Sequence, residues 1–488
     1  MTSLALINAS WNSPGGGAGR LCYRPQMDEP GVTAQPLAKS ASLHRPGAGA
    51  DLAACVAFAR DRDPYGHRVH VITATIGCGL LTLTTVTATI ALFGLVGWSI
   101  ARSWVLWPLW LRLLRHPLVL LLLGFFTWSA LSLTWSANVG EGLETLRSQR
   151  YLLLIPALVP VLGAVRWLLL GVLVGVMVQA FAQALVFCGL VPWSMRSIWS
   201  TNGGLSKHPG PASAWAVIAM GIAFSPGLCL PFWARVTAGL AAFGSVFMTA
   251  ARSGLLAMAF TMSGGLVLLR GPRRWLWRGA LIAAVWIVVA TVLVPEARNA
   301  RKLRGGVEDA WSLITTGVAP DSSIGIRWTL VRAGFAVGME HPWAGVGLGA
   351  AREAIKEQPV FRAFMDSSTN KAFRNWQGDL HGAWGESIAE LGVPGFVLFI
   401  VPVFMAFGLA VRHARSTVPA AYAWGPTVLA AVLTWLAFGM FNVVYSSGQL
   451  EAMAMLAATL AIGAGAHLFQ TGTGMQRTVD SVKDAADA

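Results

Sequence analysis

The residues of this chain that could do chemistry are basic, and they fall where polar segments meet apolar runs. In "GDLHGAWGESIAELGVPGF", residues 378–396, His381 ends a long polar stretch just before an apolar one. Arg252, in "FMTAARSGLLAM", lies between two apolar runs with almost no loop around it. Arg327 stands in "SSIGIRWTLVRAGFAVGMEHPWAGVGLGA", and Lys207 and His208 in "STNGGLSKHPGPASAW". A guanidinium offers a planar fork of donors that fits phosphate oxygens, and an imidazole can take or hold a hydroxyl proton near neutral pH. Together these groups suit transfer involving a phosphorylated lipid. Plainer readings stand beside this one. A lone histidine is more often structural than catalytic, an arginine beside an apolar run can be an interfacial anchor, and glycine-rich turns are common. Glu390 lies nine residues after His381, nearly opposite it on a continuous helix, so the two do not read as a dyad. A capping or hydrogen-bonding role suits Glu390 better, and the "GVPG" beyond it permits a kink or close helix packing.

Only a particular kind of fold would put these residues beside apolar runs. The 488 residues are 55% hydrophobic and 12% charged, with a mean hydropathy of +0.59. A soluble domain carries about 25% charged residues, so most of this surface faces lipid. Apolar runs of roughly 20 residues are long enough to cross a bilayer as helices, and the 22 tryptophans suit the headgroup level. The expectation is an all-α, polytopic helical membrane protein. The net charge of +14 does not point to nucleic acid, because its basic residues cluster between apolar runs as topology signals. Cys22, Cys55, Cys78, Cys188 and Cys229 show no paired spacing. Neither a disulfide framework nor a metal site is indicated, and no cofactor is expected.

Topology follows from the arginines. Apolar runs near 392–411, 424–446 and 452–470 are separated by "RHARS" and "SSGQ", so Arg412 and Arg415 mark the cytoplasmic side. Arg270, Arg273, Arg274 and Arg278 in "RGPRRWLWR" form a second inner cluster; Arg112, Arg115, Arg166 and Arg235 belong to the same side. Residues 71–111 read as two short helices or one long one; two give about twelve spans with both termini inside, which the basic Arg60, Arg62 and Arg68 favour. The domain reading is a disordered cytoplasmic N-terminal extension at 1–68, an N-terminal transmembrane bundle at 69–295, a periplasmic loop domain at 296–382, C-terminal transmembrane helices at 383–470 and a cytoplasmic tail at 471–488. No basic start followed by an apolar core and a small-residue cleavage site marks a signal peptide.

The outer loop is too long for a plain connection. Its amphipathic sequence, with Trp311, Trp328, Trp343 and Trp376, implies a small helical domain over the membrane. It carries Arg298, Arg301, Lys302 and Arg304 on the side where positive charge is sparse. That exception calls for an anionic partner, or reflects the indifference of long loops to charge.

In these motifs the sequence resembles the O-antigen ligase and O-antigen polymerase superfamily, bacterial membrane enzymes that handle undecaprenyl-diphosphate-linked glycans. The resemblance spans roughly residues 115–445. It rests on the order of "SALSLTWS", "GLSKHPGPAS", "TAARSG", "GIRWTLVRAGFAVGMEHPWAGVGLG" and the His381 stretch. His381, Gly392 and Gly395 fit the ligase spacing, while Gly382 departs from the polar residue that follows the histidine in that pattern. The resemblance implies that Arg252 and Arg327 hold the lipid diphosphate and that His381 orients or deprotonates an acceptor sugar hydroxyl. It implies a metal-independent, inverting transfer at the periplasmic face of the inner membrane, with lipid A-core as acceptor for a ligase or a growing glycan for a polymerase. A secondary transporter is the competing class. It fits less well, because no internal halves are evident and the ionisable candidates gather at one face.

Overall fold

A computed structural model of the chain describes residues 51–191, 204–206, 208–249, 251–269, 298–369, 382–442, 444–445 and 447–469. His381 and Lys207 lie outside the described residues. The first helices are α1 (Leu52–Arg62), α2 (Pro64–Leu81), α3 (Thr85–Ala101), α4 (Ser103–Leu113), α5 (Pro117–Ser132) and α6 (Val139–Ser148). Then come the short α7 (Leu154–Leu158), flanked by 3-10 turns, α8 (Val165–Phe187), α9 (Pro209–Ala223), α10 (Phe232–Met248) and α11 (Arg252–Leu268). The long polar segment contributes α12 (Arg298–Thr316), α13 (Ser323–Glu340), α14 (Ala351–Glu357) and α15 (Pro359–Ser367). The chain closes with α16 (Ala383–Arg415), α17 (Pro419–Phe441) and α18 (Gly448–Gly465). No strand occurs among the described residues.

Local sequence explains where these helices start. Prolines open α2, α5, α9, α15 and α17, where a missing N–H costs nothing and a fixed φ suits the helix. Thr84 and Thr87 form a reciprocal capping box at the start of α3. Asp51 and Asp63 cap α1 and α2 through Ala54 N and Gly66 N, at 2.7 and 2.8 Å. Helix therefore occupies 52–62 and continues from 64, so the expected disorder of 1–68 does not hold for residues 52–68, where side-chain caps and the Arg102 contacts order a stretch of mixed composition.

Four stretches are long and apolar enough to cross a membrane: Val139–Phe187, Ala383–Arg415, Pro419–Met440 and Gly448–Gly465. The bent pair α3 and α4 would make a fifth, and α5, α9, α10 and α11 are shorter apolar helices. Small residues allow close packing among them. A Cβ at Gly171 of α8 would lie 2.0 Å from Thr75 O of α2, and one at Gly175 would lie 2.3 Å from Gly79 O. α18 is the central shaft: every residue from Gln449 to Ala464 is buried. Its alanines 452, 454, 457, 458, 461 and 464 let neighbouring helices close around it.

The segment 298–369 has an apolar core of its own. Ile326, Leu330, Ala333 and Val337 of α13 pack with Ala351, Ile355, Phe361 and Phe364, and Ala389 of α16 joins them. At the other end of the molecule Arg102, only 3% exposed, sits at the 106° corner between α3 and α4. Its guanidinium donates to Asp63 Oδ2 at 2.7 Å and to the Ala59 carbonyl at 3.3 Å, and lies 3.0 Å from His70 Nδ1. Burial by itself would raise the Asp63 carboxyl, but the Arg102 hydrogen bond and charge outweigh it and hold the group below its ordinary 3.8.

Arg102→Leu removes a buried guanidinium and leaves half-buried Asp63 without its partner, and should lower unfolding free energy by about 2 kcal/mol, read as a lower melting temperature in detergent. Because the folded Asp63 value is depressed, its contribution is present above pH 3.8 and fades as pH falls below that value. The gap in melting temperature between wild type and Asp63→Asn should therefore narrow from pH 7 to pH 3.

Candidate functional site

The histidine-to-glycine stretch ends in a broken helix. Within α16, Gly392 adopts φ 65° and ψ −169° and interrupts the helical path, leaving backbone groups beside the break that need partners. The turn 341–349, "HPWAGVGLG", supplies them. Val346 N donates to Ala389 O and Gly347 N to Glu390 O, both at 2.9 Å, while Val393 N donates to Pro342 O at 2.7 Å. The Glu390 carboxylate, 3% exposed, accepts from Gly349 N at 2.8 Å. Glu390 thus has a hydrogen-bonding role, as expected, but its partner is the turn 341–349. Glycine is required on both sides of the contact. Gly345, Gly347 and Gly349 all have positive φ, and a Cβ at Gly345 would lie 2.3 Å from the Glu390 carbonyl.

The end of α5 holds the same turn from its other side. Ser136 Oγ donates to Leu348 O at 2.7 Å, and Leu348 N donates to Ser132 Oγ at 3.2 Å. Trp135 Nε1 donates to Ala344 O at 3.2 Å and Trp128 Nε1 to Leu391 O at 2.9 Å. Gly395 leaves room for Trp128, whose Cδ1 would be 3.0 Å from a Cβ there. Asn138 caps α6 through Glu141 N at 3.2 Å, and the Glu141 carboxylate pairs with Arg352 of α14. Three motifs separated by up to about 260 residues of chain therefore form one knot: "SALSLTWS", "HPWAGVGLG" and "ELGVPG".

Beside that knot several helix starts converge on the end of α17. Ala383 N, in the first turn of α16, donates to Asn442 O at 3.2 Å. A Cβ at Gly210, in the first turn of α9, would lie 3.7 Å from Asn442 Oδ1. Gly254, in the first turn of α11, sits against Ser213 of α9, 2.5 Å from Cβ to Cβ if the glycine had one. Gly382 and Gly385 rest on Val331 of α13, and Gly334 and Gly338 of α13 meet Gly385 and Ile388 of α16. The N-termini of α9, α11 and α16 thus share one region. Each brings the positive end of a helix dipole and backbone N–H groups without intrahelical partners.

The structure gathers part of the expected set. Arg252 is the first residue of α11, at this convergence. Arg327, partly exposed, precedes Val331 by one turn on the same face of α13, and Val331 carries the residue that follows position 381. His208 is exposed at the start of α9, its carbonyl accepting from Ser206 Oγ at 3.0 Å; Ser206 Oγ also donates to Gln449 Oε1 at 3.0 Å. Arg298, Arg301, Lys302 and Arg304 occupy the first turns of α12, which abuts α13. Among the described residues no group of three His, Cys, Asp or Glu could hold a metal ion.

Residues that single-site reading did not assign a role are Ser132, Ser136, Trp128, Trp135, Asn442 and Arg352. The signal for the first four was present in "SALSLTWS" and the Trp128 just before it, whose serines and tryptophans end an apolar run, but nothing local names their partners. If the knot is as tight as its distances imply, Gly345→Ala should destabilise by at least about 2 kcal/mol. The same change at Gly408 of α16, where a Cβ meets nothing within 4 Å, should be neutral or stabilising by up to about 1 kcal/mol. Thermal melts in detergent, with limited proteolysis of segment 298–369, test both.

Comparison with curated proteins finds no match. A family model described as O-antigen ligase matches residues 237–400, about a third of the chain, running from α10 through the segment 298–369 to the middle of α16. That stretch contains Arg252, Arg327, the turn 341–349, His381 and the Gly392 break, and over it this multi-pass helical membrane protein is similar to the O-antigen ligase family.

Proposed function

We propose that the chain is an inner-membrane glycosyltransferase of the ligase type, moving a glycan from undecaprenyl diphosphate to a sugar hydroxyl of lipid A-core at the periplasmic face. The observation that carries this reading is the meeting of the α9, α11 and α16 N-termini, with Arg252 opening α11 and Arg327 on the helix that packs against α16. Helix N-termini and guanidinium forks both favour a diphosphate. The family match supports a glycan ligase or polymerase type of enzyme over a transporter.

In the transfer, the bond between the first sugar's anomeric carbon and the diphosphate oxygen breaks, and negative charge grows on the leaving phosphate. Arg252 and Arg327 stabilise that charge where it develops, together with the helix N–H groups. The acceptor hydroxyl attacks from the opposite face and inverts the anomeric centre. His381 orients the hydroxyl or takes its proton. The Gly392 break and its turn matter because they set where α16 begins, and His381 stands two residues before Ala383. Lys207, His208 and the basic start of α12 supply further positive charge for the carrier. The undecaprenyl chain lies against apolar helices.

Arg327→Ala should abolish transfer at normal protein level, and Arg252→Lys should be damaging because lysine cannot present a planar fork. His381→Ala should lower turnover more than donor binding; equal loss of both would make the histidine structural. The decisive measurement is lipopolysaccharide gel analysis of a deletion strain carrying wild type or His381→Ala. Core without O-antigen, unrestored by His381→Ala, supports the ligase reading; core bearing a single repeat unit makes the protein a polymerase using the same donor.

A further inference from the structure

The end of the molecule remote from this site has a distinct chemistry. α3 begins beside α18: Thr89 Oγ1 lies 3.3 Å from Tyr151 OH, and Tyr151 abuts Gly448 at the start of α18. From there α3 runs about 25 Å to Arg102, where the chain turns by 106° into α4. α4 therefore lies across the bundle end, not along it. One of its faces is buried, with Val105, Leu106, Leu109 and Leu113 at 2% exposure or less, and Trp110 Nε1 donates to Pro156 O at 3.3 Å. Its other face repeats at helical spacing and is bare: Trp104, Trp107, Leu111 and Leu114 are 63, 49, 43 and 49% exposed. A bent helix with two apolar faces, one packed and one uncovered, needs an apolar surrounding on the second.

The charges around it have one sign left over. Asp61 is taken by Arg60 at 2.9 Å and Asp63 by Arg102, while Asp51 caps α1. Arg62, Arg68, Arg112, Arg115 and Arg166 have no carboxylate within ion-pair distance among the described residues. Arg166 stacks over the half-exposed Trp167 at 5.8 Å. It also lies level with Arg102, because Gly171 and Gly175 of α8 sit beside Thr75 and Gly79 of α2 in parallel register. The corner thus combines an exposed tryptophan and leucine stripe with five arginines that have no carboxylate partner among the described residues.

We propose that this corner binds anionic phospholipid headgroups, the α4 stripe lying among the acyl chains and the arginines engaging the phosphates. Tryptophan at the headgroup level and arginine forks on phosphate are the matching chemistry, and clustered basic residues beside apolar helices draw anionic lipid. The Arg102 pair is what holds α4 at the angle that presents both.

The test uses the purified full-length protein in a neutral detergent, supplemented with phosphatidylglycerol or phosphatidylcholine. Melting temperature and bound lipid are read by thermal shift and native mass spectrometry. Phosphatidylglycerol should raise the melting temperature by about 3 °C and remain bound, an effect that about 0.5 M salt reduces; phosphatidylcholine should do neither. R112Q/R115Q should melt like wild type in detergent alone and lose most of the phosphatidylglycerol response. An equal response to both lipids, or a full response in R112Q/R115Q, overturns the proposal. If the double variant does not fold, R115Q, changed at an exposed position, should lose a measurable part of the response, and an unchanged response there also overturns it.

Discussion

The structure depends on satisfying the backbone where α16 breaks. A helix interrupted within an apolar bundle exposes carbonyl and amide groups to a medium that cannot hydrogen-bond them, and each costs several kcal/mol if left alone. Here the turn 341–349 offers Val346 N, Gly347 N and Pro342 O to the break, and Glu390 returns a carboxylate to Gly349 N. The exchange is reciprocal: the break needs the turn to satisfy its backbone, and the turn needs the break and α5 for its own groups. That mutual requirement ties the helical segment 298–369 to the apolar helices.

Close approach is the second requirement, and small residues meet it. Gly334 and Gly338 bring α13 onto the first turns of α16, Gly254 brings α11 onto α9, and the alanines of α18 let the bundle close around it. The result is a concentration of helix N-termini at one end, which favours anions there. At the remote end, arginines and tryptophans face outward around the α3 to α4 corner. The two ends draw anions by different means: backbone dipoles at converging helix starts at one, arginines without a carboxylate partner among the described residues at the other.

Much of this was legible from residue types alone. The apolar runs, their flanking arginines and the prolines at helix starts report secondary structure and membrane character, because those depend on local hydropathy and backbone chemistry. The glycines of "HPWAGVGLG" were readable as a tight turn, and a hydrogen-bonding role suited Glu390, but its partner Gly349 lies 41 residues away and nothing local names it. The α1 helix was not readable: its composition is mixed, and it is held by the Asp63 and Arg102 pair, whose members are 39 residues apart.

By itself the sequence determined an all-helical membrane chain, its basic candidate residues, and the order of motifs in which it resembles O-antigen ligases. Only the tertiary structure decided that "SALSLTWS", the glycine turn and the Gly392 break are one assembly, and that α9, α11 and α16 begin side by side. The physical reason is the range of the interactions. Hydropathy and capping act within a turn or two of chain, whereas a backbone carbonyl at a helix break accepts whichever donor the packing of small residues brings to it, here from more than 40 residues away.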